Sequence, residues 1–321
     1  MRGSGPGRRR LEVESSTAEK SQALNTEEYL QRKGERVGEE LDRLVAPHHP
    51  ELVVESMRYS VLGGGKRVRP ALCIASCEML GGTEDDALPA ACAVELMHTM
   101  SLVHDDLPAM DNDDFRRGQP TNHSKYGVDF AILAGDALLA KSFEVVASSD
   151  HLSRSLPPER TVRVLSELSN TAGSKGLVGG QALDILTERG KFTTSVEQLE
   201  VIHERKTGRL LQAAVVCGAI LAGASEDSLA RLTRYAQDLG LGFQVIDDVL
   251  DVISTSEQLG KTAGKDDAAG KATYPTLVGL ERSKQIADEL IADAKAQLQP
   301  YDETLAAPLL ALADYITARK N

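Results

Sequence analysis

Two clusters of carboxylates carry the most distinctive chemistry in this chain. In the first, running from His104 to Asp114, five aspartates fall between Asp105 and Asp114. Ionised carboxylates at that density repel one another, and cations offset the repulsion. In the second, Gln244, Asp247, Asp248 and Asp251 stand at helical offsets of zero, three, four and seven, so they form one stripe. The residues between them, Val245, Ile246, Val249 and Leu250, are all apolar. Such carboxylates are costly to bury without compensation. Two readings stand for both clusters: acids that are solvated or paired with arginines, or a site for hard divalent ions. The apolar approach to the first through Leu96, Met97, Met100, Leu102 and Val103 favours a cavity over a surface. The donors on offer are oxygens only, which suits magnesium held by a few carboxylates together with substrate phosphates. A calcium loop of the EF-hand type fails at Leu107 and Met110, where a ligand and a glycine are required.

A phosphate gripped in this way needs basic groups as well. Gly65-Lys66-Arg67-Val68-Arg69 places three charges after a glycine run, without the spacing of a nucleotide-binding P-loop. Arg116-Arg117 follows the first acidic motif directly, and two adjacent arginines can each address a different phosphate group bidentately. Lys206-Thr207 interrupts a long helical pattern, and Lys261, Lys265 and Lys271 fall in a glycine-rich loop. Each of these could equally be a surface charge.

The elements that must position these groups read as helices nearly throughout. Asn25 caps a helix running towards Val45, and Pro50 starts a second that is stopped by Gly63-Gly64-Gly65. Pro70 opens a third through Leu80. Asp86 precedes the fourth, which carries the first aspartates. The spacing between Asp105 and Asp111 is 240° on a regular helix, so Pro108 is expected to distort the helix end until both acids point inward. An apolar helix spans about 128–147, and Pro157-Pro158 breaks the chain before the next. Ser195-Val196-Glu197-Gln198 matches a capping box for a helix reaching Leu221. Ser225 caps the helix that carries Phe243 to Ile253. A loop follows from about Ser254 to Tyr274, and two more helices close the chain. No stretch alternates long enough to predict a sheet. The expectation is an all-α fold, a single bundle of long helices around a deep cavity.

Composition sets outer bounds. The 321 residues are 41% hydrophobic and 26% charged, enough to bury a large core. A net charge of -12 argues against general nucleic-acid binding. The longest apolar run, 213–224, is too short to span a bilayer. Cys73, Cys77, Cys92 and Cys217 suit buried thiols better than a disulfide scaffold. Residues 1–25 are basic and polar and are expected to be disordered, as a transit-peptide remnant or an expression scar. The folded domain is expected over 26–321.

GGGKRVRP at 63–70, HDDLPAMDNDDFRRGQPTNH at 104–123, KTG at 206–208, GFQVIDDVLD at 242–251 and GKDDAAGKATYP at 264–275 together resemble the trans-isoprenyl diphosphate synthases. The resemblance is strongest to the geranylgeranyl diphosphate synthases of plant and bacterial type, and it covers about 26–320. It implies an all-α fold, usually dimeric, and condensation of isopentenyl diphosphate with allylic diphosphates. It implies that Asp105, Asp106, Asp111, Asp247, Asp248 and Asp251 hold magnesium, with three ions gripping the allylic diphosphate. Arg116, Lys206, Thr207, Gln244, Lys261 and Lys271 would contact that diphosphate, and Lys66, Arg69, His98 and Arg117 that of isopentenyl diphosphate. Arg67 has no clear role in this scheme. The lysine loop after Ser254 would act as a lid.

Members that stop at fifteen carbons carry an aromatic plug just upstream of the first motif. No Phe, Tyr or Trp occurs from Ser60 to Asp114, so Met100 and Ser101 imply a twenty-carbon product, with ten or fifteen carbons as the alternative. Cys73-Ile74-Ala75-Ser76-Cys77 resembles the CxxxC segment through which plant synthases pair with small regulatory subunits. Its single copy favours the catalytic role over that of a regulatory subunit. The plant-like resemblance implies a plastid, with a bacterial cytoplasm as the alternative. A phosphohydrolase would leave the second acidic motif unexplained, and a terpene cyclase would not need a second basic subsite.

Overall fold

The computed structural model describes residues 24–148, 156–191, 195–253 and 272–317. Its long helices pack around α4 (Glu84–Asp105), which contacts α3 (Val68–Met79), α6 (Val128–Ala147) and α10 (Arg209–Ala222). Almost every residue of α4 from Ala87 to Val103 is buried. A helix that is apolar on all sides can be stable only when neighbours cover all of them. The remaining elements are α1 (Thr26–Leu44), α2 (Glu51–Val61), α5 (Asn122–Tyr126), α7 (Pro158–Ala172), α8 (Leu177–Glu188), α9 (Val196–His203), α11 (Glu226–Ile253), α12 (Tyr274–Val278), α13 (Leu280–Ala296) and α14 (Glu303–Thr317). Among the described residues no helix is long and apolar enough to cross a membrane.

Local chemistry accounts for the helix starts. The Asn25 side chain accepts from the Glu28 N–H, as expected for a cap. Ser195 and Gln198 form the capping box, each side chain answering the other's backbone N–H. Two starts differ from expectation. α3 begins at Val68, before Pro70, and α4 begins at Glu84 because Thr83 is its cap and Asp86 closes a capping box inside the first turn. A Thr with an acid three residues later was a readable signal. Two short helices, α5 and α12, and the longer α8 were not anticipated.

The expectation of no sheet also needs correction. Phe115–Arg116 pairs antiparallel with Gln119–Pro120. The two turn residues, Arg117 and Gly118, have φ of 52° and 74°, the positive values of the tight turn that matches strand twist. Two-residue strands are too short to show alternation, so periodicity could not reveal them.

Arg67 is a structural residue. It sits at φ 49°, uncommon for a side chain of that size, and its guanidinium is buried against Glu95 of α4 and the Val61 carbonyl. Both side chains are under a tenth exposed, so the pair pins the glycine loop at 63–65 to the central helix. Truncating one partner leaves a buried charge alone. Glu95→Ala is expected to lower unfolding free energy by about 3–5 kcal/mol, and the double replacement Arg67→Met/Glu95→Leu to recover most of it, in urea denaturation.

Candidate active site

The first acidic motif is built by the end of α4. The helix stays regular to Asp105, and then the chain folds back: Leu107 C=O accepts from the Met110 and Asn112 N–H groups, and Asp105 C=O from the Asp111 N–H at 2.9 Å. A tight turn therefore returns Asp111 to Asp105. This replaces the distorted helix end expected from Pro108. Burial pushes the Asp105 carboxyl up to about 6, with Asp111 and Asp106 adding to the shift and Lys206 and Arg116 opposing it. Asp106 is buried, and Arg116 closes on it with a fork: Nε lies 2.9 Å from both carboxylate oxygens and Nη2 lies 2.6 Å from Oδ1. Two acids side by side in sequence thus have different surroundings, one committed to an arginine and one not.

The second motif lies on α11 as one stripe. Gln244, Asp247 and Asp248 line a pocket with Asp184, Lys206 and Thr207. Asp251, one turn further on, is buried. Asp248 Oδ2 accepts from the Tyr274 N–H at 2.9 Å, so its partner is a backbone amide where an arginine was the alternative considered.

Lys206 connects the two motifs. It stands in a π-helical turn, Glu204–Gly208, which joins α9 to α10 without a break. The expected interruption of the helix is therefore a local widening, a device frequent at functional sites. α8 packs so closely on this turn that a Cβ at Gly180 would lie 2.3 Å from the Lys206 backbone nitrogen. Lys206 Nζ donates to Asp184 Oδ2 at 2.6 Å. Burial opposes its charge, but Asp184, Asp105 and Asp111 outweigh burial and raise its pKa. Asp184 was missed by sequence reading; the signal available was a lone acid four residues after a glycine pair, on a helix that had itself gone unassigned.

The basic side gathers around α3 and the hairpin. Arg69 Nη1 lies 3.4 Å from His98 Nε2. Burial, followed by Arg69, holds His98 well below the usual range, so the ring is neutral and accepts from the arginine. Arg117 reaches the Gly64 carbonyl and lies over Gly65, where a Cβ would come within 2.8 Å of its guanidinium. Lys66 Nζ stands 5.4 Å from the centre of the Tyr315 ring, a cation–π distance. Lys261, Lys265 and Lys271 lie outside the described residues.

Neither proposed length-setting residue lines the crevice beside Arg116. Met100 belongs to the main core, and the Ser101 hydroxyl bonds back to the His98 carbonyl at 2.9 Å. Thr99, Leu102 and Val103 face that crevice, with Tyr59 and Asp106. Cys73 and Cys77 are fully buried, so their thiols are not offered to a partner.

Among the described residues no three His, Cys, Asp or Glu side chains converge closely enough to hold a metal alone. The donor set still fits magnesium, which is commonly bound by one or two carboxylates plus substrate phosphates. The raised Asp105 carboxyl marks an acid whose negative charge is under-compensated, as a cation site requires.

The family model for polyprenyl synthetase matches residues 50–307, and the chain belongs to that family. It is 55% identical over 295 residues to geranylgeranyl pyrophosphate synthase 7, chloroplastic, of Arabidopsis thaliana, covering 91% of this chain and 84% of that protein. It is 53% identical over 294 residues to the heterodimeric geranylgeranyl pyrophosphate synthase large subunit 1, chloroplastic, of the same plant, covering 91% and 79%. The geranylgeranyl pyrophosphate synthetase structure from Pyrococcus horikoshii superposes with a TM-score of 0.83 at 32% identity, covering 92% of this chain and all of that one.

The π turn can be tested without touching a reacting group. Gly180→Ala is expected to displace Lys206 and cut turnover by about a hundredfold, since shifts of about 1 Å can cost that much. Circular dichroism should show the helices retained.

Proposed function

We propose that this chain is a magnesium-dependent trans-prenyltransferase that condenses isopentenyl diphosphate with dimethylallyl, geranyl and farnesyl diphosphates to make geranylgeranyl diphosphate. The observation that carries the reading is Lys206, whose charge acts on Asp105 and Asp111 while it lines one pocket with Gln244, Asp247 and Asp248. One diphosphate can thus be held between two acidic motifs. A separate basic cluster at Arg69, His98 and Arg117 would serve a second diphosphate; Lys66, assigned to the same diphosphate, stands over the Tyr315 ring beside Gly64 and Gly65.

Bound magnesium, three ions in this reading, would stabilise the negative charge that develops on the departing diphosphate. Asp105, Asp106, Asp111, Asp247, Asp248 and Asp251 are the residues that would hold it. Lys206, Thr207, Gln244 and Arg116 orient the allylic diphosphate, and the Lys206 ammonium favours loss of the oxygen that takes the electron pair from C1. The double bond of isopentenyl diphosphate, placed by Arg69, Arg117 and Lys66, then attacks C1. A carbon–carbon bond forms, and the proton lost from C2 passes to the released diphosphate. Water would quench the allylic cation, so burial of Asp106, with Asp105 half-buried beside it at the end of an apolar helix, serves the reaction as well as the fold.

The catalytic unit is read as a homodimer. α6 supports this by exposing Val128 and Ile132, one turn apart, and the adjacent Leu133, each more than two-fifths accessible. A regulatory subunit is compatible with the relative named as a heterodimeric large subunit, though contact through α3 would not use the buried thiols. The chloroplastic names of both plant relatives support a plastid.

Labelled isopentenyl diphosphate with five-, ten- and fifteen-carbon partners is expected to yield a twenty-carbon diphosphate that disappears when a chelator removes magnesium. Chromatography of the dephosphorylated products reads both points. Failure of any condensation would move the chain to a regulatory role. In the same assay Ser101→Phe is expected to shift the product towards fifteen carbons, and an unchanged distribution would reject Met100 and Ser101 as the length-setting pair.

A further inference from the structure

Asp248 lines the diphosphate pocket, yet only 6% of its surface is exposed. Two groups hold the same oxygen. The Tyr274 N–H donates to Oδ2 at 2.9 Å, and His203 Nε2 lies 3.4 Å from it. The second distance is long, as catalytic hydrogen bonds often are before ligands bind. Both contacts fall on Oδ2, which leaves Oδ1 to serve the pocket. A carboxylate only accepts, so His203 must carry its proton on Nε2.

The histidine is itself held in place. Its ring stacks on that of Tyr274 with centroids 6.0 Å apart and planes at 12°. Tyr274 is fully buried, and its hydroxyl donates to Glu200 Oε1 at 3.0 Å. Glu200 and His203 stand one turn apart on α9, so the tyrosine is fastened to α9 by its hydroxyl and to α11 by its amide. His203 also immediately precedes the π turn that holds Lys206. One short helical segment therefore sets a cation and an acid of the same pocket.

We propose that His203 is a positioning residue, which fixes the orientation of the Asp248 carboxylate and thereby the affinity of the site for magnesium with diphosphate. The inference rests on the prenyl-transfer reading of the site. Groups that hydrogen-bond a metal-binding carboxylate from behind fix its rotamer, and losing them typically costs 10–100-fold in metal affinity.

The test compares two replacements of nearly equal shape. His203→Gln keeps an N–H donor at the reach of Nε2, and His203→Met keeps the bulk without one. The first readout is the rise in melting temperature on adding magnesium with inorganic diphosphate, which reports binding without turnover. The second is the magnesium concentration at half-maximal condensation. His203→Met is expected to lose most of the thermal rise and to need about tenfold or more magnesium, with the KM for isopentenyl diphosphate unchanged. His203→Gln is expected to recover both. Equal behaviour of Met and Gln, or a magnesium requirement unchanged in Met, would overturn the proposal. So would failure of both variants to fold, which would make His203 a core residue only. No thermal rise in the wild-type protein would reject the magnesium–diphosphate reading itself, and this inference with it.

Discussion

The central constraint on this structure is the concentration of negative charge in a cleft partly removed from water. Bringing aspartates from two helices together costs both desolvation and mutual repulsion. The protein offsets that cost unevenly. Asp106 is taken up by the Arg116 fork, Asp248 by the amide of Tyr274, and Asp184 binds the ammonium of Lys206. Asp105 is left with a carboxyl pushed up to about 6. The folded protein thus supports its own acids enough to hold them in place, and leaves a deficit that a cation and a diphosphate can meet together.

The same arrangement explains why the scaffold is helical and rigid around the cleft. α4 is buried along almost all of its length from Ala87 to Val103 and ends at the first acidic motif. The π turn widens α9–α10 over Glu204–Gly208, the stretch that carries Lys206, and the close approach of α8 holds that turn in register. Arg67 and Arg117 both stand at positive φ. Each is held there by tertiary contacts: Arg67 by Glu95, Arg117 by the Gly64 carbonyl. Backbone strain of this kind clusters where side chains must be aimed, and surrounding structure sustains it.

In the proposed function, the basic groups at Arg69, His98 and Arg117 would serve a second diphosphate, apart from the pocket that Lys206 lines. Lys206 serves the acids, whereas His98 is kept neutral beside Arg69. A charged imidazole there would add repulsion to a cluster already rich in arginine. The neutral ring instead accepts a hydrogen bond from Arg69 and adds no charge of its own.

Much of this was legible in the sequence. The offsets of Gln244, Asp247, Asp248 and Asp251 determine one helical stripe whatever surrounds them, because side-chain direction on a helix follows spacing. The capping signals at Asn25 and Ser195, the glycine run at 63–65 and the proline at 158 likewise act locally, and each marked a boundary. What spacing could not decide was partnership. That Arg116 closes on Asp106, that Arg67 turns inward to Glu95, and that Asp184 meets Lys206 are matters of which helices touch. Residues 22 or 28 positions apart meet because packing brings them together. Short-range chemistry therefore determined the helices and their acidic faces. Only the tertiary structure decided which charges face each other, because electrostatic partnership depends on distance in space and burial, and neither is encoded in local periodicity.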